Sequence, residues 1–216
     1  MNDTPLPTTL STAAPSERDT RAALALFDRL PAVEPAQMLG CWRGESFASG
    51  HPLDGILETY HWYGKAFHSE QDVDPLLFQT SGGKVLPLRA LMPDPSLLER
   101  FPWLRAKAVG DGFQRWLLPL LSTRQPQARL RRVDHRGIST AAMIYDNLPI
   151  VDVFRRIDEQ TLLGLMDARG IPQPFFFLLR REEERRSAQE GAVPKVSRQE
   201  SGKPSRLVSQ GSSNAN

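Results

Sequence analysis

The amino-acid sequence predicts a mainly β protein, an antiparallel barrel carrying a few helices. Three observations lead there. Five segments of strand length follow one another between residues 128 and 181, with only short turn-forming stretches between them. Three further candidates precede them, which brings the total to about eight. That many strands in one small domain must dispose of their edges, and closure into a barrel does so most simply.

In chain order, residues 1–15 are rich in Thr, Pro, Ser and Ala and offer only the isolated apolar Leu6 and Leu10, which predicts a disordered tail. Ser16 with Asp19 resembles a capping box, and Ala23, Leu26, Phe27 and Leu30 then recur at helical spacing until Pro31. Residues 41–48 read as the first strand. Asp54 is placed to cap a helix from Gly55 to about Phe67, because Ile56, Leu57, Tyr60, Gly64 and Phe67 fall on one side. Residues 76–80 and 84–91 add two strands joined by Ser81-Gly82-Gly83. Residues 92–127 form an insertion, within which the apolar positions of 95–121 predict short helices over one barrel end.

The meander follows, with strands over 128–134, 138–145, 150–158, 161–167 and 175–181. Its punctuation is His135-Arg136-Gly137, Asp146-Asn147, Glu159-Gln160 and Asp167-Ala168-Arg169-Gly170, all suited to short hairpin loops. Residues 182–216 open on a charge run and continue with Gly, Ser, Pro, Gln and Asn. Too little apolar surface lies there to offset the entropy of ordering, so this tail is also expected to be disordered. The folded body is thus a single domain over residues 16–181.

Composition sets the outer limits. The 216 residues are 40% hydrophobic and 24% charged, ordinary values for a globular protein. Apolar runs such as residues 175–179 fall far short of the roughly 20 residues of a membrane helix, and the N-terminus lacks the basic and apolar regions of a secretory signal. No membrane span and a cytoplasmic location are expected. The single cysteine, Cys41, excludes an internal disulfide and is expected to pack as a small hydrophobe. A net charge of +2 gives no nucleic-acid footprint.

The most informative motif is Gly40-Cys41-Trp42-Arg43-Gly44 at the start of the first strand. Its indole can close a barrel end but needs a partner for its N–H. Gly44, Ser46 and Ala48 share the Trp42 face, and small inward residues are expected to leave room for a ligand. This motif, with Ser49-Gly50-His51-Pro52-Leu53-Asp54-Gly55, Trp62-Tyr63-Gly64-Lys65 and Asp74-Pro75-Leu76, resembles the GXWXG family over residues 39–91. The segment from Ala142-Met143-Ile144-Tyr145-Asp146-Asn147-Leu148-Pro149-Ile150 through Asp152, Phe154 and Gly164-Leu165-Met166-Asp167 is similar to the domain of unknown function that usually follows it. The resemblance implies a lipocalin-like β-barrel built by both blocks jointly, and it carries over no catalytic residue.

The expected function is non-covalent binding of a small hydrophobic or amphipathic ligand, lipid-like or fatty-acid-like, inside the barrel. Trp42, Gly44, Ser46, Tyr60, Trp62, Tyr63, Met143, Tyr145 and Met166 are the candidate lining residues. An enzyme of isomerase, cyclase or hydratase type is the alternative, with His51 and Asp54 as acid and base and Lys65 beside them. Against it, Asp54 reads more readily as a helix cap and Lys65 as a solvated helix residue. A scaffold with a filled barrel is the third reading. The four histidines lack metal-ligand spacing, and neither metal nor cofactor is expected. Arg129 and Arg131 share a strand face that reads as solvated, with Asp134, Asp152, Asp158 and Glu159 as candidate partners.

Overall fold

A computed structural model describes residues 20–90, 100–101, 103, 106–113 and 118–182. The two expected tails, the Ser16–Asp19 cap and much of the 92–127 insertion lie outside the described residues. The chain runs α1 (Thr20–Arg29), α2 (Pro35–Met38), β1 (Gly40–Ser46), α3 (Ile56–Thr59), β2 (Trp62–Phe67), β3 (Val73–Gln79) and β4 (Val85–Pro87). It continues through α4 (Lys107–Gly112), α5 (Leu118–Leu121), β5 (Ala128–His135), β6 (Ile138–Tyr145), β7 (Ile150–Arg156), β8 (Thr161–Ala168) and β9 (Ile171–Arg181). No helix among the described residues is long and apolar enough to cross a membrane.

The strands follow the order β2-β1-β9-β8-β7-β6-β5-β3, and β3 pairs back onto β2, so eight antiparallel strands close a barrel. The short β4 extends β3 at one end. Local chemistry fixes the hairpins. His135 pairs with Ile138 around Arg136 and Gly137, both at positive φ, the two-residue turn whose twist suits a hairpin.

One expected element is different. The helix placed over residues 55–67 is only α3, and β2 takes the rest. His61, at φ 57°, breaks the helical path, and the chain then pairs with β1 on one side and β3 on the other. β2 is buried along almost its whole length, so its apolar residues lack the alternation that marks a half-exposed strand. Cys41 is also corrected: it is exposed on the outside of β1.

Two apolar layers account for the rest. Outside the barrel, Ala23 and Phe27 of α1 and Leu30 just after it pack against Phe47, Val153, Leu163 and Phe176. Inside, Phe67, Phe154, Phe177 and Leu179 join both Trp42 and Trp62. Strand β9 therefore serves both layers, with Phe175, Phe177 and Leu179 inward and Phe176 and Leu178 outward, which explains its unbroken apolar run.

The two barrel ends differ. At one, the Trp42 indole is buried and donates its N–H to the Met38 carbonyl at 2.7 Å. The Arg181 guanidinium lies 4.2 Å above the same ring and donates to the Leu39 carbonyl at 2.9 Å. At the other end lie the loops 47–61 and 146–149. There Leu53, Leu57, Phe78, Leu148, Met166 and Ile171 pack on the interior cluster while staying partly exposed, forming an apolar mouth.

Candidate functional site

Ile150, Asp152 and Phe154 alternate along β7, so an acid occupies a position on the inward, apolar face. In register it stands between Met143 of β6 and Met166 of β8, and Met166 in turn faces Phe175 of β9. It is buried there. Its counter-charge comes from across the barrel. Lys65 Nζ lies 2.8 Å from Asp152 Oδ2, and the two side chains are 3% and 1% exposed.

A backbone irregularity delivers Lys65. Register shifts between β2 and β3 at Gly64 turn the strand, so Trp62 and Lys65, three residues apart, both face inward. The ammonium also donates to the Pro75 carbonyl at 3.0 Å. Rings surround it: Phe177 at 4.9 Å, Trp62 at 5.5 Å and Tyr145 at 5.8 Å. Cation–π attraction of this kind partly offsets the loss of hydration.

The site is incompletely satisfied. Asp152 Oδ1 and Trp62 Nε1 are buried without a hydrogen-bond partner among the described residues. The Tyr145 hydroxyl interacts with the carboxylate. Burial pushes the Asp152 carboxyl above the ordinary carboxylate range, opposed by Lys65 and Tyr145. Burial, aided by Asp152, also holds the Tyr145 phenol well above its usual value, so it remains neutral.

The other candidates fall into separate places. Met143, Tyr145, Met166 and Trp62 join the Lys65–Asp152 pair in the interior cluster. Trp42 belongs to the same cluster but closes the far end. Gly44 and Ser46 share its inward strand face, yet the room they leave is occupied: a Cβ on Gly44 would meet the Trp62 ring. On its other side Trp62 lines a surface cleft of about 410 Å³ with Gly44, Leu57 and His61. Tyr60 packs its ring against Phe113 at 5.3 Å. Tyr63 faces outward, under the Arg43 guanidinium and hydrogen-bonded to Glu182.

His51 and Asp54 are both bound to backbone. His51 Nδ1 accepts from the Leu53 N–H at 3.0 Å, which leaves Nε2 to donate to the Gln173 carbonyl at 3.2 Å. Burial lowers the His51 pKa accordingly. Asp54 Oδ2 accepts from the N–H groups of Ser49 and His51 at 2.9 and 3.0 Å. It therefore caps the preceding loop, not α3, whose N-cap is Gly55 without a side-chain bond. Lys65, expected on a solvated helix surface, is instead a buried strand residue.

Asp152 is the residue that sequence reasoning placed elsewhere, as an outer partner for the arginines. Arg129 pairs with Asp146 at 2.7 Å, and Arg131 binds the Glu70 carbonyl and the Gln71 side chain. The available signal was parity: Asp152 shares the alternation of Ile150 and Phe154. No cluster of metal-ligating side chains occurs among the described residues.

Comparison with known proteins agrees with this architecture. The profile of the GXWXG protein family matches residues 25–83, and that of a domain of unknown function, DUF4334, matches residues 126–181. A crystal structure of a protein from Thermomonospora curvata is similar at 34% identity and a TM-score of 0.57, covering 76% of this chain and 88% of that one. No curated protein matches. Both matched blocks supply strands of one closed barrel, GXWXG the strands that carry Trp42 and Lys65 and DUF4334 the strand that carries Asp152: the chain belongs to the GXWXG family, with a lipocalin-like fold.

Proposed function

We propose that the barrel binds a small, largely apolar, lipid-like molecule non-covalently, with its polar end at Lys65 and Asp152 and its apolar body toward the mouth. The observation that carries this reading is the buried, unpartnered Asp152 Oδ1 in an interior otherwise built of Met143, Met166, Phe177 and Trp62. A buried carboxylate oxygen without a donor costs stability, and such groups in native proteins call for an explanation; a ligand group that completes its bonding supplies one. Flexible methionines on both sides of the acid suit an adaptable wall. The fold supports the reading by analogy alone.

The test is binding of the neutral fluorophore 1-aminoanthracene, followed by energy transfer from tryptophan. Saturable binding by the parent, lost on Met143→Trp through filling of the interior, is the expected result. Equal binding by parent and variant would place the probe elsewhere.

One observation favours a second reading, proton-transfer catalysis of isomerase, cyclase or hydratase type. The free Oδ1 lone pair belongs to a carboxyl whose pKa burial raises, the condition of a general base. Asp152 takes that role in place of His51 and Asp54, because both ring nitrogens of His51 are committed to backbone.

A further inference from the structure

Bonding capacity and charge at the buried pair narrow the class of ligand. Lys65 has three N–H donors. One is directed to Asp152 Oδ2 and one to the Pro75 carbonyl, leaving one spare. Asp152 Oδ1 makes no hydrogen bond among the described residues, the Tyr145 phenol being the other polar group that interacts with the carboxylate. One donor and one acceptor thus remain on neighbouring groups, and a hydroxyl is the small group that accepts from the first and donates to the second. The Trp62 N–H is also unpartnered, and the centre of its ring lies 5.5 Å from the ammonium.

The charge balance points the same way. Lys65 and Asp152 sum to zero, whichever of them holds the proton, and Tyr145 stays neutral. A ligand carboxylate would bring an unbalanced negative charge into a buried, largely apolar interior and set it against Oδ1, which makes no hydrogen bond among the described residues. Like charges at this range in low dielectric repel strongly. A fatty acid would have to enter protonated. For an ordinary carboxyl with a pKa near 4.3, holding the proton at pH 7.5 costs about three pH units, roughly a thousandfold in affinity.

We propose that the Lys65–Asp152 site selects a neutral hydroxyl-bearing amphiphile, a long-chain alcohol or other apolar alcohol, over the corresponding carboxylate. The inference rests on the barrel-binding reading above and adds the chemistry of the head group.

The experiment is displacement of 1-aminoanthracene from the full-length protein at pH 7.5 by decan-1-ol and by decanoate. Any apolar cavity disfavours an anion, so Asp152→Asn is the decisive comparison. It leaves Lys65 as an uncompensated cation and should reverse the preference. The expected result is decan-1-ol a hundredfold or more tighter in the parent, with decanoate the tighter in Asp152→Asn. If that variant does not fold, the double variant Lys65→Met/Asp152→Leu replaces it, and decan-1-ol should there bind at least tenfold more weakly than in the parent. Decanoate equal or tighter in the parent, displacement by neither compound, or unchanged decan-1-ol affinity in the variants would overturn the proposal while leaving the barrel-binding reading intact. Failure of the parent to bind the fluorophore would overturn that reading itself.

Discussion

A Cβ on Gly44 would stand 2.1 Å from Cζ3 of the Trp62 indole, so the two residues share one volume across the β1–β2 corner of the barrel. Gly164 stands in the same relation to the Phe177 ring, at 2.4 Å. Small inward residues are thus sockets for large aromatics that in turn surround Lys65.

Gly44→Ala should therefore displace Trp62 and cost about 1–3 kcal/mol, the range for overpacking a filled interior. Near-ultraviolet circular dichroism should change with it. An unaltered spectrum and unfolding midpoint would mean that the indole has another place to go.

Lys65→Met alone leaves the buried Asp152 carboxylate without its cation and should destabilise by about 3–5 kcal/mol. The double variant Lys65→Met/Asp152→Leu should recover most of this, because an apolar pair of similar volume avoids both desolvation penalties. Denaturant titration of the parent, Lys65→Met, Asp152→Leu and the double variant measures the coupling. Additive losses would show that the two side chains do not form a pair in solution.

At the closed end, Trp42→Ala should cost about 3–5 kcal/mol by truncating a large buried aromatic. It removes the N–H bond to Met38 and the surface under the Arg181 guanidinium together. A change below about 1 kcal/mol in chemical denaturation would contradict that packing.

Asp54→Ala leaves two backbone donors, those of Ser49 and His51, without an acceptor and should cost about 2 kcal/mol. Asp54→Asn keeps an acceptor oxygen and should lose less than half of that, as read by the same titration. Equal losses would mean that the negative charge, and not the loop cap, is what matters.

Stability should fall with acidity between pH 7 and 5. Burial holds His51 below its ordinary value of 6.5, so the unfolded chain takes up the proton first. The contribution is full above 6.5 and is lost as pH falls toward the folded-state value. His135 is lowered by burial too and acts in the same direction. His51→Gln should show a shallower dependence of unfolding midpoint on pH across this range; identical slopes would remove His51 from the account.

The barrel was legible in the sequence because β5 to β9 are joined by tight turns with unmistakable residues, as at Arg136-Gly137. The Trp42 end was legible for a similar reason, since a buried indole must find an acceptor and Met38 supplies it. The centre was not. Ile56, Leu57, Tyr60, Gly64 and Phe67 fit a helical stripe, yet Trp62–Phe67 is a bulged strand buried on both sides, where period gives no guidance. Lys65 consequently read as solvated. Asp152 read as an outer acid because acids on strands ordinarily face water, and only its parity with Ile150 and Phe154 argued otherwise. The Lys65–Asp152 pair joins strands far apart in sequence, a contact that no local pattern encodes.

The central claim, that Lys65 and Asp152 hold the polar end of a bound molecule, is tested most directly by native mass spectrometry of the full-length protein isolated from its own host. The parent should carry a small molecule of defined mass that is released on activation, and Lys65→Met/Asp152→Leu, folded and isolated identically, should carry none. The same adduct on both proteins, or bare polypeptide for the parent, would contradict it.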